Sequence, residues 1–411
     1  MKPRALEIRL IDQRVGWLVE GGGRYSVRFN RTWREHPARR VFSLSVEASG
    51  LEDIRATPHL PAWFENLLFE GELRRWIVAS ETALGQHDLS LLERIGQDLV
   101  GAVTLHAVHD EIPEVAPLEA LEPTRRAPLG GIRWSLAGVQ LKLNLVARGD
   151  HFCLPVHGEP GHFIAKFPDQ RYPGVPVNEH ATMGWARAAG MNVAETRLID
   201  ASAIDELPPG LLRCAEPVLL VKRFDRDQGR RVHAEEFAQA LGLRPTEKYQ
   251  RLGWRHHLRL IAGVASGDVA EYLRRLLFVI ASGNGDAHHK NWSFIFPDGR
   301  RPTLSPAYDQ VAVVAWTDHD PILEDSLPFK LGGSRRWEDL RLGSVLRLLE
   351  EAGISTFADG GTAIEPSGFE RWIREQIARI RDALPAALHT AAPGYQRAVE
   401  AHWARTPLMK S

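Results

Sequence analysis

Residues 283–291 read Gly-Asn-Gly-Asp-Ala-His-His-Lys-Asn, and this stretch decides how the rest of the chain is interpreted. Asp286 and Asn291 lie five positions apart, directly after an apolar segment that favours a helix. Residues 292–308 contain two short apolar runs around a Pro-Asp-Gly turn, which is the pattern of a β-hairpin. Asp309 follows this hairpin. The order is therefore helix, acid, amide, hairpin and second acid.

This order is the layout of a kinase catalytic loop and metal site. Protein kinases place a base Asp and a magnesium-binding Asn at the same D-x-x-x-x-N interval, with a metal-binding Asp farther along the chain. Asp286 would then orient or deprotonate an acceptor hydroxyl, while Asn291 and Asp309 would hold Mg²⁺ on the phosphates of ATP. The interval alone is weak, because Asn, Gly and Asp are frequent in turns. Its place between an apolar helix and a hairpin favours the catalytic interpretation.

Lys166 and Glu179 are the next candidates. Lys166 lies in the apolar run Phe-Ile-Ala-Lys-Phe, and a lysine within a strand either extends its ammonium group to solvent or meets an anion. A kinase needs one strand lysine that contacts the ATP phosphates and a helix carboxylate that holds it. Residues 178–189 favour a helix that Gly190 ends, so Glu179 is the candidate partner of Lys166.

The adjacent pair His288 and His289 invites a zinc interpretation. Two neighbouring histidines cannot both face one metal from a regular element, and no Glu stands at an H-E-x-x-H spacing. The pair His256 and His257 fails for the same reason. We therefore expect His288 to support the catalytic loop by hydrogen bonding.

Composition excludes several classes of protein. The chain has 411 residues, enough for two or three lobes, and its net charge of −1 gives no general attraction to nucleic acid. The N-terminus lacks an apolar signal core, and no apolar run reaches membrane-spanning length. Cys153 and Cys214 cannot build a disulfide framework or a four-thiolate zinc site, so two reduced core thiols are expected. The sequence predicts a cytoplasmic protein without a membrane partner.

The distribution of strands and helices favours an α+β, bilobal fold with a cleft between its lobes. Strand patterns occupy residues 5–11, 15–19, 25–29, 41–46, 132–147, 151–167 and 218–223, and helix patterns occupy 62–105, 178–189, 272–281 and 369–384. From residue 233 onward, only the hairpin at 292–308 is expected to be extended. A stretch with four prolines at 113–128 has the composition of a linker. We expect three parts, at residues 1–110, 111–232 and 233–411.

Residues 134–142 read Trp-Ser-Leu-Ala-Gly-Val-Gln-Leu-Lys. Their single glycine makes a poor phosphate cradle, and neither G-x-G-x-x-G nor G-x-x-x-x-G-K-[ST] is present. From chemistry alone this segment is interpreted as a hairpin turn.

Taken together, these segments resemble the HipA-like serine/threonine kinases, the toxin half of a bacterial type II toxin–antitoxin pair. The resemblance runs through most of the chain. Four longer blocks carry it: residues 63–74 are similar to F-x-N-L-L-P-E-G-x-x-R with Phe69 in place of the proline, 135–142 are similar to S-x-A-G-x-Q-x-K, 223–226 read R-F-D-R, and 233–242 are similar to an E-D-F-x-Q-x-L-G helix. The shorter matches are the strand lysine Lys166, the pair Asn178-Glu179, the pair Lys248-Tyr249, residues 286–291, and the pair Tyr308-Asp309.

The resemblance implies site residues that spacing does not give. Ser135, Gly138 and Gln140 would belong to a serine loop that covers ATP in place of a glycine-rich loop. Ser135 would be an autophosphorylation site, and its dianionic phosphate would repel ATP and silence the kinase. Val221 and Lys222 would form the adenine hinge through backbone groups. The other implied nucleotide contacts are Lys166, Glu179, His288 and Lys290.

The resemblance also implies ATP and Mg²⁺ as cofactors and a small helix-turn-helix antitoxin, similar to HipB, as partner. Operator DNA would be reached mainly through that antitoxin. The substrate would be a protein, such as an aminoacyl-tRNA synthetase, which the sequence does not identify. Two alternatives stay open: a kinase of this fold that acts on a small molecule, and a weakly active corepressor that binds the antitoxin on DNA. The basic residues Arg335, Arg336, Arg341 and Arg347 could touch phosphates in the second case, although solvated surface charge would have the same composition.

Overall fold

A computed structural model describes residues 4–68, 88–108, 141–155, 159–169, 171–207, 216–316 and 325–411 of the chain. The fold is a mixed α/β arrangement with a strand-rich first half and a largely helical second half. The expected linker at 113–128 lies outside the described residues.

An antiparallel sheet of five strands organises the N-terminal region. Its strands are β1 (Arg4–Leu10), β2 (Gln13–Gly21), β3 (Arg24–Phe29), β4 (Ile54–Thr57) and β5 (Val103–Ala107), in the order β4-β3-β2-β1-β5. Leu6, Ile8 and Leu10 alternate along β1 and belong to one apolar cluster with Leu18 and Val27. The associated helices are α1 (Arg31–Glu35), α2 (Leu44–Ala48), α3 (Ala62–Glu65) and α4 (Asp88–Ile95). The strands predicted at 5–11, 15–19 and 25–29 are confirmed.

The strand predicted at residues 41–46 is wrong. Helix α2 begins at Leu44 because Ser43 caps it, and the Ser43 hydroxyl accepts a hydrogen bond from the Ser45 amide at 3.2 Å. The helical interpretation of 62–105 holds for α3 and α4, but this range ends in strand β5.

A second antiparallel sheet has the order β7-β6-β8-β10-β9. Its strands are β6 (Lys142–Arg148), β7 (His151–Cys153), β8 (Phe163–Lys166), β9 (Thr196–Ile199) and β10 (Val218–Lys222). Helix α5 (Val175–Ala188) lies between β8 and β9 along the chain and packs against β9 and β10. The helix predicted at 178–189 is therefore confirmed and starts three residues earlier, after Gly174. Cys153 is a half-buried free thiol rather than a core residue, and Cys214 lies outside the described residues.

The C-terminal region is built around buried helices. The helices are α6 (Phe237–Ala240), α7 (Trp254–Val264), α8 (Val269–Ser282), α9 (Leu342–Ala352), α10 (Pro366–Ala383), α11 (Pro385–Leu388) and α12 (Tyr395–Arg405). The strands are β11 (Arg226–Asp227), β12 (Arg230–Arg231), β13 (His233–Glu236), β14 (Ser293–Phe296), β15 (Thr303–Leu304), β16 (Phe357–Asp359) and β17 (Thr362–Ile364). Short 3₁₀ turns occur at Ala201–Ala203, Pro245–Glu247, Ser266–Asp268, His289–Asn291, Val313–Ala315, Trp337–Asp339 and Pro407–Lys410.

Two of the predictions for this region need correction. Only the 292–308 hairpin was expected to be extended, but β13 pairs with β14 and a further hairpin joins β16 and β17. The block 233–242, predicted as a helix, is a strand followed by the single turn of α6. This turn starts at Phe237 because the Gln239 side chain accepts a hydrogen bond from the Glu236 amide at 2.9 Å. The helices predicted at 272–281 and 369–384 are confirmed by α8 and α10.

A buried ion network joins the N-terminal sheet to the end of β10. The Asp225 carboxylate accepts hydrogen bonds from Arg223 at 2.9 and 2.8 Å and from the Gly101 amide at 2.6 Å. Arg226 donates to Asp225 at 2.9 Å and to Asp98 at 2.8 Å. Arg223, Asp225 and Arg226 are all buried. The R-F-D-R segment therefore connects the N-terminal region to the second sheet. Among the described residues, every helix is too short or too polar to cross a membrane.

Candidate active site

The predicted catalytic loop begins where helix α8 ends. Nearly all of α8 is buried, and Gly283 ends it with a left-handed φ of 61°. A Cβ atom at this position would collide with the side chain of Val314, so both the turn and the close packing require glycine. The chain is thereby directed out of the core directly before Asp286.

Asn284 links the two acidic segments of the site. Its side-chain oxygen accepts a hydrogen bond from the Asp286 amide at 3.1 Å, and its amide group donates to the Asp309 carbonyl at 3.4 Å. Asn291 donates from its side chain to the Asp286 carbonyl at 2.8 Å. Asp286, Asn291 and Asp309 are therefore held as one unit by short-range polar contacts.

A cavity opens at this unit. The described residues that line it are Lys142, Lys166, Val175, Glu179, Asn284, Asp286, Asn291, Asp309, Val311 and Val313. The structure thus brings together five residues that the sequence predicts: the proposed base, both proposed metal ligands, the strand lysine and its helix carboxylate.

Two lysines face Asp309 from neighbouring strands. Lys142 on β6 lies opposite Lys166 on β8 in the sheet register. The Lys166 ammonium is buried and pairs with both Glu179 and Asp309. The Lys142 ammonium lies 3.2 Å from the second oxygen of Asp309. Burial alone would favour the neutral acid, but the two ammonium groups hold the pKa of Asp309 well below its usual range.

Burial and the neighbouring charges also shift the pKa values of Lys166 and Glu179. Burial opposes the charge of Lys166, yet the Asp309 and Glu179 carboxylates raise its pKa. Burial raises the pKa of Glu179 even though Lys166 opposes that effect. Lys166 is therefore held as an ammonium group between two carboxylates.

Asp286 lies in a more apolar environment. Burial raises its pKa to about 6, although the Tyr249 hydroxyl donates a hydrogen bond to its carboxylate and opposes the shift. An acid with this pKa is mainly ionised at pH 7 and still close enough to neutrality to accept a proton. Its chemistry therefore suits a general base.

Asp309 has an unusual backbone. Its φ of 52° lies in the left-handed region, which residues other than glycine adopt uncommonly. The following segment is held by Asn178, whose side chain accepts from the Ala312 amide at 2.9 Å and donates to its carbonyl at 3.3 Å. Asn178 precedes Glu179 on α5, so one helix positions both the lysine partner and the Asp309 segment.

Two of the other predicted nucleotide contacts do not line the described part of the cavity. His288 is buried, and within the described residues neither of its ring nitrogens has a hydrogen-bond partner. The prediction that His288 supports the loop by hydrogen bonding is therefore wrong, and its ring packs against Tyr249 instead. The Lys290 ammonium donates to the Asn66 carbonyl at 3.2 Å and lies 3.8 Å from Glu236, which directs it towards the N-terminal region.

The predicted hinge lies in strand β10, which pairs with the strand of Lys166, and neither of its residues is among the described residues that line the cavity. Val221 is buried between β8 and β9. The Lys222 amide donates to the Glu195 carbonyl at 2.9 Å, and its ammonium pairs with the Glu195 carboxylate at 3.0 Å at the surface. Ser135, Gly138 and Gln140 lie outside the described residues.

The oxygen atoms of the site suit a magnesium ion. Mg²⁺ prefers carboxylate and amide oxygens together with phosphates and water, and it usually takes only one or two carboxylates from the protein. Asp309 supplies a carboxylate that stays ionised, and a bound Mg²⁺ would take the place of a lysine ammonium group on one of its oxygens. The side-chain nitrogen of Asn291 donates to the Asp286 carbonyl, so the side-chain oxygen of Asn291 is not used in this hydrogen bond and would be its ligand to the metal. Among the described residues, no group of three or more His, Cys, Asp or Glu side chains is placed so that it could hold a metal ion.

The class of this protein follows from the fold and the site together with two family matches. The sequence model of the HipA N-terminal domain matches residues 6–106, and that of the HipA-like C-terminal domain matches residues 134–384. The chain belongs to the HipA-like family, as its sequence blocks predict.

Individual relatives agree with this assignment. A protein of Sinorhizobium fredii, Y4dM, whose name describes it provisionally as a kinase, is 36% identical over 363 residues, which cover 86% of this chain and 87% of that protein. The serine/threonine-protein kinase toxin HipA of Shewanella oneidensis is 27% identical over 356 residues, covering 78% and 77%. A chain from the solved complex of Shewanella oneidensis MR-1 HipA, HipB and operator DNA superposes with a TM-score of 0.71 at 22% identity, covering 98% of this chain and 97% of that one. At this identity the superposition shows that the two chains share a fold.

Three residues of the site had no predicted role. Lys142 ends the block 135–142, and Tyr249 belongs to the Lys-Tyr pair, yet both were only part of a family pattern. Asn284 was part of the quoted loop. Lys142 could have been found from its position opposite Lys166 on the neighbouring strand. This pairing depends on the register of β6 and β8, which a single sequence does not give.

Proposed function

We propose that this protein is an ATP- and Mg²⁺-dependent serine/threonine protein kinase and the toxin of a toxin–antitoxin pair. The observation that carries the proposal is the convergence of Asp286, Asn291, Asp309, Lys166 and Glu179 on one cavity. Phosphoryl transfer needs little covalent help from a protein and depends on positioning and on charge stabilisation, which these five residues supply.

Each residue has a distinct task in the proposed reaction. Lys166 and Lys142 bind phosphate oxygens, and Glu179 keeps Lys166 in place. Asn291 and Asp309 would hold Mg²⁺, which neutralises the developing charge on the phosphates when it is bound. Asp286 receives the proton of the acceptor hydroxyl as that oxygen bonds to the γ-phosphorus. The bond between this phosphorus and the bridging oxygen breaks, and ADP leaves.

The finer assignments belong to the same proposal. Residues 1–232, with parts at 1–110 and 111–232, would form an N-terminal lobe, and 233–411 a helical lobe, with ATP in the cleft between them. The Val221–Lys222 backbone would contact adenine. The segment with Ser135, Gly138 and Gln140 would cover the phosphates, and autophosphorylation of Ser135 would silence the enzyme. His288 would support the proposed catalytic loop by packing against Tyr249, and Lys290 would tie this loop to the N-terminal region through Asn66.

The proposed partners follow from the relatives. Because the superposed HipA chain was solved with HipB and operator DNA, we propose a HipB-like helix-turn-helix antitoxin that brings this protein to operator DNA. The substrate would be a cytoplasmic protein, with an aminoacyl-tRNA synthetase as one candidate. The same complex favours corepression as a second role, which an active kinase site does not exclude.

Phosphosite mapping tests the proposal. Unphosphorylated full-length protein is incubated with labelled ATP and Mg²⁺, and the modified residues are identified by mass spectrometry. We expect label on Ser135, because the serine loop would lie next to the γ-phosphate. Absence of label on the protein and on an added antitoxin or synthetase would contradict the kinase and leave corepression as the better function.

Lys142 gives a second test. We expect Lys142→Met to raise the KM for ATP about tenfold, since it removes one charge-assisted hydrogen bond to a phosphate. Lys330→Met is the matched control, because Lys330 is an exposed lysine that is not among the described residues lining the cavity. Steady-state kinetics with varied ATP measure both variants. Equal KM values for the two variants would remove Lys142 from the nucleotide site.

A further inference from the structure

Tyr249 is a residue of the catalytic region to which the reaction above gives no task. It follows the 3₁₀ turn Pro245–Glu247 in the connection between α6 and α7. Its hydroxyl donates a hydrogen bond to Oδ1 of Asp286. Its ring packs edge-on against the ring of His288, with 5.0 Å between the ring centroids. The phenol is therefore fixed against two residues of the catalytic loop at once.

The neighbouring main chain strengthens this attachment. The carbonyl of Lys248 accepts a hydrogen bond from the His289 amide at 3.3 Å. The segment 248–249 is thus joined to the catalytic loop by a main-chain bond, a ring contact and a side-chain hydrogen bond. The phenol position is set by these contacts and does not depend on a bound substrate.

The contact differs in kind from the other contacts of Asp286. Asn284 and Asn291 hold the main chain of Asp286, at its amide and its carbonyl. Tyr249 holds the carboxylate itself. A carboxylate that is fixed only through its main chain can still rotate about its last side-chain bond, and this torsion has a broad preference.

The side from which Tyr249 approaches decides its role. Asp286 is among the described residues that line the cavity, and Tyr249 is not. The phenol binds one carboxylate oxygen, and among these two residues it is Asp286 that lines the cavity. The second oxygen, Oδ2, remains for an acceptor hydroxyl. This is the arrangement of a base that is oriented by a third group.

We propose that Tyr249 is a positioning residue for Asp286, which rests on the proposed kinase function: its hydroxyl holds Oδ1 so that Oδ2 faces the acceptor. Phosphoryl transfer depends on the orientation of the base, so loss of the phenol hydroxyl lowers the rate of the chemical step. The affinity for ATP depends on Lys166, Lys142 and the metal ligands, which Tyr249 does not touch.

Tyr249→Phe tests this inference, because it keeps the ring and its packing on His288 and removes only the hydroxyl. We expect kcat to fall on the order of tenfold with the KM for ATP and the melting temperature unchanged. Tyr25→Phe is the matched control, since it removes a phenol from the N-terminal sheet, far along the chain from the cavity residues. The control is expected to keep the kcat of the wild type.

A crystal structure of each variant supplies a readout that does not depend on activity. In Tyr249→Phe the Asp286 carboxylate is expected in a second orientation, whereas Tyr25→Phe retains one. An unchanged kcat, a kcat increased by the loss of a competing hydroxyl, or a single unchanged orientation of Asp286 would overturn the proposal. A parallel change in kcat, KM and melting temperature would also overturn it, because that pattern belongs to a general structural role. An inactive wild type would instead refute the kinase itself, and the role of Tyr249 with it.

Discussion

Replacing Asp286 with asparagine is expected to lower phosphotransfer by about 10³-fold, within the range that general base catalysis contributes. The amide has the size of the carboxylate but cannot accept the proton of the acceptor hydroxyl. The main-chain contacts with Asn284 and Asn291 do not involve the carboxylate, so the loop should keep its shape. Burial raises the pKa of Asp286 to about 6, so burial of a neutral side chain there costs little.

The measurement compares phosphotransfer, ATP binding and thermal unfolding of Asp286→Asn with those of the wild type. ATP binding should persist, because Lys166 and Asp309 are unchanged. Asp298→Asn is the matched control: Asp298 lies in the exposed turn of the following hairpin, and its side chain accepts from the amides of Arg300 and Arg301. Equal phosphotransfer by Asp286→Asn and wild type would remove Asp286 from the mechanism. Loss of activity in both variants would point to a general defect of the hairpin.

The sequence was most informative where spacing is local. Asp286 and Asn291 are five residues apart, and a buried helix and a tight hairpin leave few ways to arrange them with Asp309. The convergence of these three side chains could therefore be predicted. Lys166 and Glu179 could be paired because a strand lysine near a helix carboxylate has few other partners in an apolar environment.

Long-range register was beyond the sequence. Lys142 lies opposite Lys166 only because β6 and β8 pair in one register, and a shift of one residue would turn its side chain to the other face. The left-handed backbone of Asp309 could not be predicted either, because Asp enters that region only at some turn positions, and here Asn178, far away in the chain, holds the segment that follows.

The wrong predictions of secondary structure concern short elements, in which a helix cap or one neighbouring strand decides the conformation. Apolar alternation at 41–46 resembles a strand, but the hydroxyl of Ser43 caps a helix there instead. His233–Glu236 has no strand signature in its composition, yet pairing with β14 satisfies its backbone. In elements of four or five residues, a cap or one partner strand outweighs intrinsic preference.

Replacing Asp225 with asparagine is expected to cost about 3–5 kcal/mol of stability, the range for removing one partner from a buried ion pair. The carboxylate accepts from Arg223, Arg226 and the Gly101 amide. Asparagine offers one oxygen and turns an NH₂ group towards guanidinium donors. Two buried guanidinium groups would then share Asp98 as their remaining acidic partner in the network.

The effect should depend on pH in a defined direction. Burial favours the neutral acid, but Arg223 and then Arg226 hold the pKa of Asp225 below its usual range. A lowered pKa in the folded protein stabilises it above the unfolded pKa, about 4, and this contribution disappears as the pH falls further. The difference between wild type and Asp225→Asn should therefore be complete at pH 7 and shrink below about pH 4.

Calorimetry of the full chain at pH 7 measures this effect, with Asp205→Asn as the matched control. Asp205 pairs with His151 at 3.1 Å, but both side chains are about half exposed, so the control should change stability by less than about 0.5 kcal/mol. The network joins Gly101 and Asp98 to the end of β10. A separate unfolding transition of the N-terminal sheet in Asp225→Asn would therefore also support the prediction. If Asp225→Asn unfolds at the temperature of Asp205→Asn in a single transition, the R-F-D-R segment does not hold these parts together, and its buried charges add no net stability.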